Sequence, residues 1–228
     1  MNIDKYQGLK IKDARKAVLK DLKEANLILE QKQIKHSVNV HDKCNTGIEF
    51  LPTKQYFIKV LDKKKFLIDQ GKKIIWHPDY MRKRYENWIS GLEWDWSISR
   101  ERHFGIPIPI WHCPQCKEII LAEEKELPID PVQTKKQCKK CKSLAQGDEK
   151  VLDTWATSSL TPQIASSLVN NKIKLPFSLR PQAHDIIRTW TFYTIVKAYF
   201  HENSTPWNEI TISGFVTLTL SNRILNSS

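Results

Sequence analysis

Residues 88–116 read WISGLEWDWSISRERHFGIPIPIWHCPQC. Trp88, Trp94 and Trp96 are too closely spaced for a solvated loop and too irregular for one face of a helix. Pro107 and Pro109 each lack a backbone donor and have a fixed φ, which excludes a central strand or a helix interior. The stretch therefore reads as a structured joint between two larger bodies, held by aromatic packing and ending in a Cys-x-x-Cys pair.

Downstream of the joint, Cys138-x-x-Cys141 repeats the spacing of Cys113-x-x-Cys116 after a gap of 21 residues. Each such knuckle turns two thiolates towards one ion, and two knuckles complete a tetrahedral four-cysteine zinc site. The gap is just beyond the usual ribbon spacing of about 15–20 residues, yet within reach of one hairpin. Lys135, Lys136, Lys139, Lys140 and Lys142 crowd the second knuckle and would help to keep thiolates deprotonated. A thioredoxin-like redox pair or a chance arrangement would account for one knuckle better than for two. Four thiolates leave no open coordination position, so the zinc expected here is structural. His36, His41 and Cys44 make a poor second metal set, because no fourth ligand lies near them. His36 falls on the apolar face of an alternating segment and reads as a hydrogen-bonded core histidine.

A chain of 228 residues with 40% apolar side chains and eight Trp can bury a core, which excludes a disordered polymer. The net charge of +11, from 36 basic and 25 acidic side chains, suits polyanionic partners such as nucleic acid, but also serves solubility alone. Five Cys, an odd number, in a chain whose start MNIDKYQGLKIKDARK has no signal-peptide core, exclude a disulfide framework. No apolar run is long enough to span a membrane, so a soluble cytoplasmic protein is expected.

Periodicity predicts a helix over 11–29, a strand over 34–40, and short strands over 47–51 and 55–60. Charged amphipathic helices are expected over 62–70 and 79–87. A buried helix follows from Ile186 to about Phe200 with Asp185 as its N-cap, and a buried parallel strand covers 210–215, ending where Gly214 lets the backbone approach something.

Three separated stretches carry a resemblance. WDWSISRERHFGIPIPIWHC, VLDTWATSSLTPQIA and RPQAHDIIRTW resemble, in this order, the class I aminoacyl-tRNA synthetases of the valine, isoleucine and leucine group, and within it the valyl enzymes. The departures are small: Ser97 stands where the family usually has Cys, and Glu101 where it has Gln or a similar residue. The fold this implies is α/β: a partial Rossmann-type nucleotide-binding catalytic domain with a zinc-knuckle insertion, preceded by the α+β tail of an editing insertion domain. The corresponding boundaries are 1–45 for the editing tail, 46–112 for the connector, 113–150 for the knuckle insertion, 151–218 for the second half of the catalytic domain, and 219–228 for a divergent tail.

By the same resemblance, Trp155, Ile186 and Trp190 would touch the amino-acid side chain. His184 and Asp185 would lie near the adenylate, and Gly214 would end the strand that meets the adenosine. Read without the family, Trp155 is a core tryptophan beside a helix N-cap. ATP, valine and tRNA(Val) are the implied substrates and partners. The sequence has no His-Ile-Gly-His element and no Lys-Met-Ser-Lys-Ser loop, and its last ten residues, TLSNRILNSS, leave the family pattern. No catalytic residue is therefore assigned, and no editing site is expected. A frameshift, an early stop or a split gene would leave such an end. The resulting expectation is a segment inactive alone, working only if a separate chain supplies the missing parts. A basic zinc-knuckle RNA-binding module and an inert remnant of a broken gene are the alternatives.

Overall fold

The computed structural model describes residues 4–170 and 172–214. It divides into two compact units, Met1–Pro52 and Thr53–Ser228. The tail expected over 219–228, and Phe215 of the expected strand, lie outside the described residues.

In the first unit a turn at Asp4–Tyr6 leads into helix α1 (Ile11–Glu24). Asp21 anchors the turn to the helix, accepting from the Tyr6 hydroxyl and pairing with Lys5 at 2.7 Å. The helix is shorter than the expected 11–29. Asn26 takes a left-handed φ of 56°, and the Asn26 and Leu27 N–H groups close back onto Lys23 and Leu22 carbonyls. That is a Schellman-type stop, which asparagine tolerates better than most residues. The expected strands at 34–40 and 47–51 reduce to one bridge, Val40 to Gly47, around a turn closed by His41 N–H to the Thr46 carbonyl at 2.9 Å. Alternation signals a strand only where one face has something to pack against, and no described residue of this unit is buried. His36, read as a core histidine, is likewise exposed, with Nδ1 3.1 Å from the Ser37 carbonyl.

The second unit begins with β1 (Phe57–Ile58), α2 (Lys64–Lys73), β2 (Ile75–His77) and α3 (Arg82–Ser90). Short 3₁₀ turns, Leu61–Lys63 and Asp79–Met81, lead into the two helices, so both run a few residues later than expected. Gly71 allows α2 to meet the fully buried Tyr85 of α3, where an added Cβ would stand 2.4 Å from the ring. The joint then supplies β3 (Trp96–Ser97), antiparallel to β1, and β4 (Ser99–Arg100), antiparallel to β9 (Val151–Leu152). Pro107 and Pro109 fit an extended ladder because its bonds use the alternate residues Ile106, Ile108 and Ile110. Leu152 N–H donates to Ile106, Ile108 N–H to Lys150, and Asp148 N–H to Ile110.

Between those two passes lie β5 (Ile110–His112), β6 (Ile119–Leu121), β7 (Lys136–Gln137) and β8 (Leu144–Gly147), an antiparallel ribbon in the order β6-β5-β8-β7. After β9 come α4 (Thr154–Ser158), α5 (Thr161–Leu168), β10 (Phe177–Ala183), α6 (Phe192–Glu202) and β11 (Trp207–Ser213). Strands β10, β11 and β2 form a parallel sheet in that order, so the expected parallel strand is present, but it starts at Trp207 and is buried only at Trp207, Ile210 and Ile212. Strand β10 escaped the sequence reading because Pro181 sits within it. As an edge strand of the sheet, β10 can carry a residue without a donor. The helix expected from Ile186 starts with a 3₁₀ turn (His184–Ile186) and a wide π-type turn (Ile187–Thr191) before α6. Asp185 caps neither turn by its side chain and is exposed. The core under the sheet is aromatic and branched: Trp76, Tyr85, Trp96, Trp190, Phe192, Ile195, Trp207 and Ile210 meet there.

Candidate active-site edge and metal centre

The two knuckles are built alike. Cys113 N–H donates to Glu118 at 2.9 Å, Lys117 N–H returns to Cys113 at 3.0 Å, and Lys117 has φ 61°. In the second, Cys138 N–H donates to Ser143 at 2.9 Å, Lys142 N–H returns to Cys138 at 2.9 Å, and Lys142 has φ 65°. This turn aims both sulfurs of each knuckle inwards, and all four Sγ atoms lie within 4.8 Å of one another. Zinc–sulfur bonds of about 2.3 Å in a tetrahedron require sulfurs roughly 3.8 Å apart, so the donor set fits such an ion.

The electrostatics agree. The Cys116 N–H and the Ser143 hydroxyl draw the Cys113 thiol down to about 6. The Glu118 N–H pulls Cys116 down as well, but burial and the neighbouring thiols outweigh it and push Cys116 up to about 12. Ser143 draws Cys141 down too, so thiolates are welcome at two sulfurs and resisted at Cys116 beside them, which is the conflict that a dication removes. Three of the five lysines expected to favour the thiolates pair with carboxylates instead. Lys136 pairs with Glu126 at 2.6 Å, Lys139 with Glu123 at 3.3 Å and Lys140 with Glu118 at 3.6 Å, while serine and backbone donors serve the sulfurs.

At the base of the ribbon, the buried Asp148 carboxylate accepts from the Tyr56 hydroxyl at 2.6 Å and the Lys150 N–H at 2.8 Å, and lies 3.0 Å from His112 Nε2. Burial alone would raise its pKa, but these hydrogen bonds lower it overall. Nearby, Arg100 reaches Asp153 at 2.9 Å, and Asp153 accepts from the Trp155 N–H as the N-cap of α4. The ion pair ties the joint to the Leu-Asp-Thr-Trp turn. Neither network was legible in the sequence, since residues 92 and 53 positions apart leave no local pattern.

The carboxyl ends of β10 and β11 coincide, Ala183 opposite Ser213. Past this edge His184 and Asp185 continue from β10 and Gly214 from β11, and His184 Nδ1 stands 3.3 Å from the Ser213 carbonyl. Asp185 and Gly214 are exposed, and a Cβ on Gly214 would meet nothing within 4 Å, so no described protein atom makes the close approach expected there. Trp190 is 7% exposed, stacked on Trp207 at 5.2 Å and covered by the Arg180 guanidinium at 3.8 Å. Its indole N–H donates to the Ser158 carbonyl, which joins α4 to the wide turn. Trp155 and Ile186 are half-buried against the core. Of the expected residues, His184, Asp185 and Gly214 follow directly on this sheet edge, Trp155 and Ile186 lie against the core, and Trp190 is mostly committed to packing. A cavity of about 790 Å³ lined by Glu101, Arg102, His103, Asp148 and Lys150 contains none of them.

A family model described as tRNA synthetases class I (I, L, M and V) matches residues 6–221. Valine–tRNA ligase of Thermoplasma acidophilum is 49% identical over 214 residues, covering 92% of this chain and 27% of that one. That of Picrophilus torridus is 46% identical over 212 residues, with 92% and 28% covered. The chain thus spans little more than a quarter of the length of the curated relatives it matches. A solved methionyl-tRNA synthetase of Mycobacterium tuberculosis, in complex with methionyl-adenylate, is similar at a TM-score of 0.49 and 14% identity, covering 80% of this chain and 30% of that one.

Proposed function

Since the chain belongs to the class I tRNA synthetases (I, L, M and V), we propose that it carries the second half of a valine-activating site together with a structural zinc ribbon. The observation that carries this reading is the common carboxyl edge of β10 and β11. In parallel α/β sheets ligands sit beyond the carboxyl ends of the strands, and here the chain continues past that edge into the buried His184 and the exposed Asp185 and Gly214. Trp155 and Ile186 form the apolar side towards the valine side chain, and Trp190 supports them from the core. His184 and Asp185 face the adenylate. Cys113, Cys116, Cys138 and Cys141 hold one zinc, whose contribution is to fix the ribbon fold and not to act on substrate.

Adenylate formation depends on positioning and on charge stabilisation around the phosphates. Residues 1–228 contain neither the His-Ile-Gly-His nor the Lys-Met-Ser-Lys-Ser sequence. We therefore infer that this stretch does not catalyse valine activation by itself and works with the remaining parts of a ligase, in one chain or as separate chains, on ATP, valine and tRNA(Val). A free RNA-binding ribbon is less favoured, because three of the five lysines around the second knuckle already face glutamates.

A non-hydrolysable valyl-adenylate analogue tests the pocket directly by calorimetry. Asp185 is exposed and outside the core, so Asp185→Ala should leave the unfolding temperature unchanged while weakening the analogue by about 10-fold or more, the scale of one hydrogen bond to a charged group. Equal binding by both proteins would remove Asp185 and this sheet edge from the site.

A further inference from the structure

We propose that peroxide oxidation of the metal site produces two nested disulfides, Cys113–Cys141 and Cys116–Cys138, each joining one knuckle to the other. The pairing follows from the thiol geometry and does not depend on the valine-activation reading. Cys113 Sγ lies 3.4 Å from Cys141 Sγ, and Cys116 Sγ lies 3.5 Å from Cys138 Sγ. A disulfide needs sulfurs about 2.05 Å apart, so each pair closes with a shift of roughly 1.4 Å.

The near-equality has a cause. The knuckles fold by the same backbone bonds, and exchanging Cys113 with Cys138 and Cys116 with Cys141 converts one pair into the other. Each pair also combines a buried sulfur, Cys113 or Cys138, with a half-exposed one, Cys141 or Cys116. Oxidant thus reaches one member while its partner waits in contact. Within the first knuckle, by contrast, Cys113 Sγ meets the Cys116 backbone N–H at 3.5 Å, while the Ser143 hydroxyl, 3.1 Å from Cys113 Sγ and 3.0 Å from Cys141 Sγ, holds the two members of the first pair side by side.

The chemistry balances. A thiolate of Cys116 or Cys141 attacks one peroxide oxygen, the O–O bond breaks, and a sulfenic acid forms with release of hydroxide. The thiolate of the buried partner then attacks that sulfur, the S–S bond forms, and a second hydroxide leaves. Each disulfide consumes two thiolates and one peroxide. With both formed, the ion has lost its four donors, yet the two knuckles stay tied as the ion had tied them. A thiol reductant reverses the change, and the ribbon can be loaded again.

The test uses the full, metal-loaded chain. It is treated with hydrogen peroxide, free thiols are blocked, and the protein is digested without reduction for mass spectrometry, while an indicator dye follows metal release. The expected map contains Cys113–Cys141 and Cys116–Cys138 as the dominant disulfide peptides, with the exposed Cys44 remaining unpaired as an internal control. Thiol reductant should return all four sulfurs. Dominant Cys113–Cys116 and Cys138–Cys141 peptides would overturn the proposal. So would an even mixture of the three possible pairings, or over-oxidised sulfurs without disulfide.

Discussion

Stripping the proposed zinc from this chain with a strong chelator is expected to unfold the ribbon over residues 110–147 while the parallel sheet of β2, β10 and β11 persists. The reason is how little else holds the ribbon. Its fully or nearly buried residues are Trp111, Cys113, Pro131, Cys138 and Ala145, and two of those five are proposed ligands. The Trp111 N–H to the Thr134 carbonyl at 2.8 Å, and Lys136 over the indole at 4.6 Å, add contacts but no second layer. Structural zinc in small knuckle domains contributes an apparent 10–16 kcal/mol of folding free energy, more than the remaining contacts of such a ribbon can replace. Amide hydrogen exchange, resolved by segment, reads the result. Loss of protection should be confined to the ribbon, and Cys138→Ser should reproduce it. A ribbon that stays protected without metal would show that packing alone supports it.

Gly147→Ala is the second change with a large expected effect. An added Cβ there would lie 2.0 Å from the Pro131 carbonyl oxygen, 2.3 Å from its carbon and 2.8 Å from the Val132 nitrogen. These are backbone atoms of the loop that crosses β8, so no flexible side-chain tip can yield. Overpacking of this kind costs about 1–3 kcal/mol and sometimes more, and here the upper end applies because the crossing must separate. Chemical denaturation should show a loss of about 3 kcal/mol in the stability of the ribbon. Gly214→Ala, where a Cβ meets nothing within 4 Å, is the matched control and should be near neutral. Equal stability of both variants would mean that the loop over Gly147 is free to lift.

The sequence was most informative where its signal is chemical or periodic over a buried face. The four cysteines were legible from spacing, because a knuckle needs its ligands at fixed positions. A parallel strand was legible over 210–215, although β11 begins at Trp207 and ends at Ser213, and the buried α6 was legible from its apolar run. Signals failed where the deciding contact is remote. The alternation over 34–40 promised a strand, but its unit buries no described residue against it. Pro181 concealed β10, whose partner Thr211 lies thirty positions away. Asp148 carries no signal in sequence, although Tyr56 and His112 make it the polar hub of the ribbon base. Trp190 reads as a pocket wall by resemblance, and only the fold shows how far Trp207 and Arg180 already occupy it.

The central claim is that residues 1–228 carry half of a valine-activating site. Valine-dependent ATP–pyrophosphate exchange tests it most directly, measured on the purified chain alone and after mixing with polypeptides that supply the missing parts of a ligase. No exchange by the chain alone, and exchange in the mixture that disappears when this chain is left out, is the predicted result. Exchange by the chain alone would contradict the half-site account, and so would a complete mixture that stays inactive with every component folded.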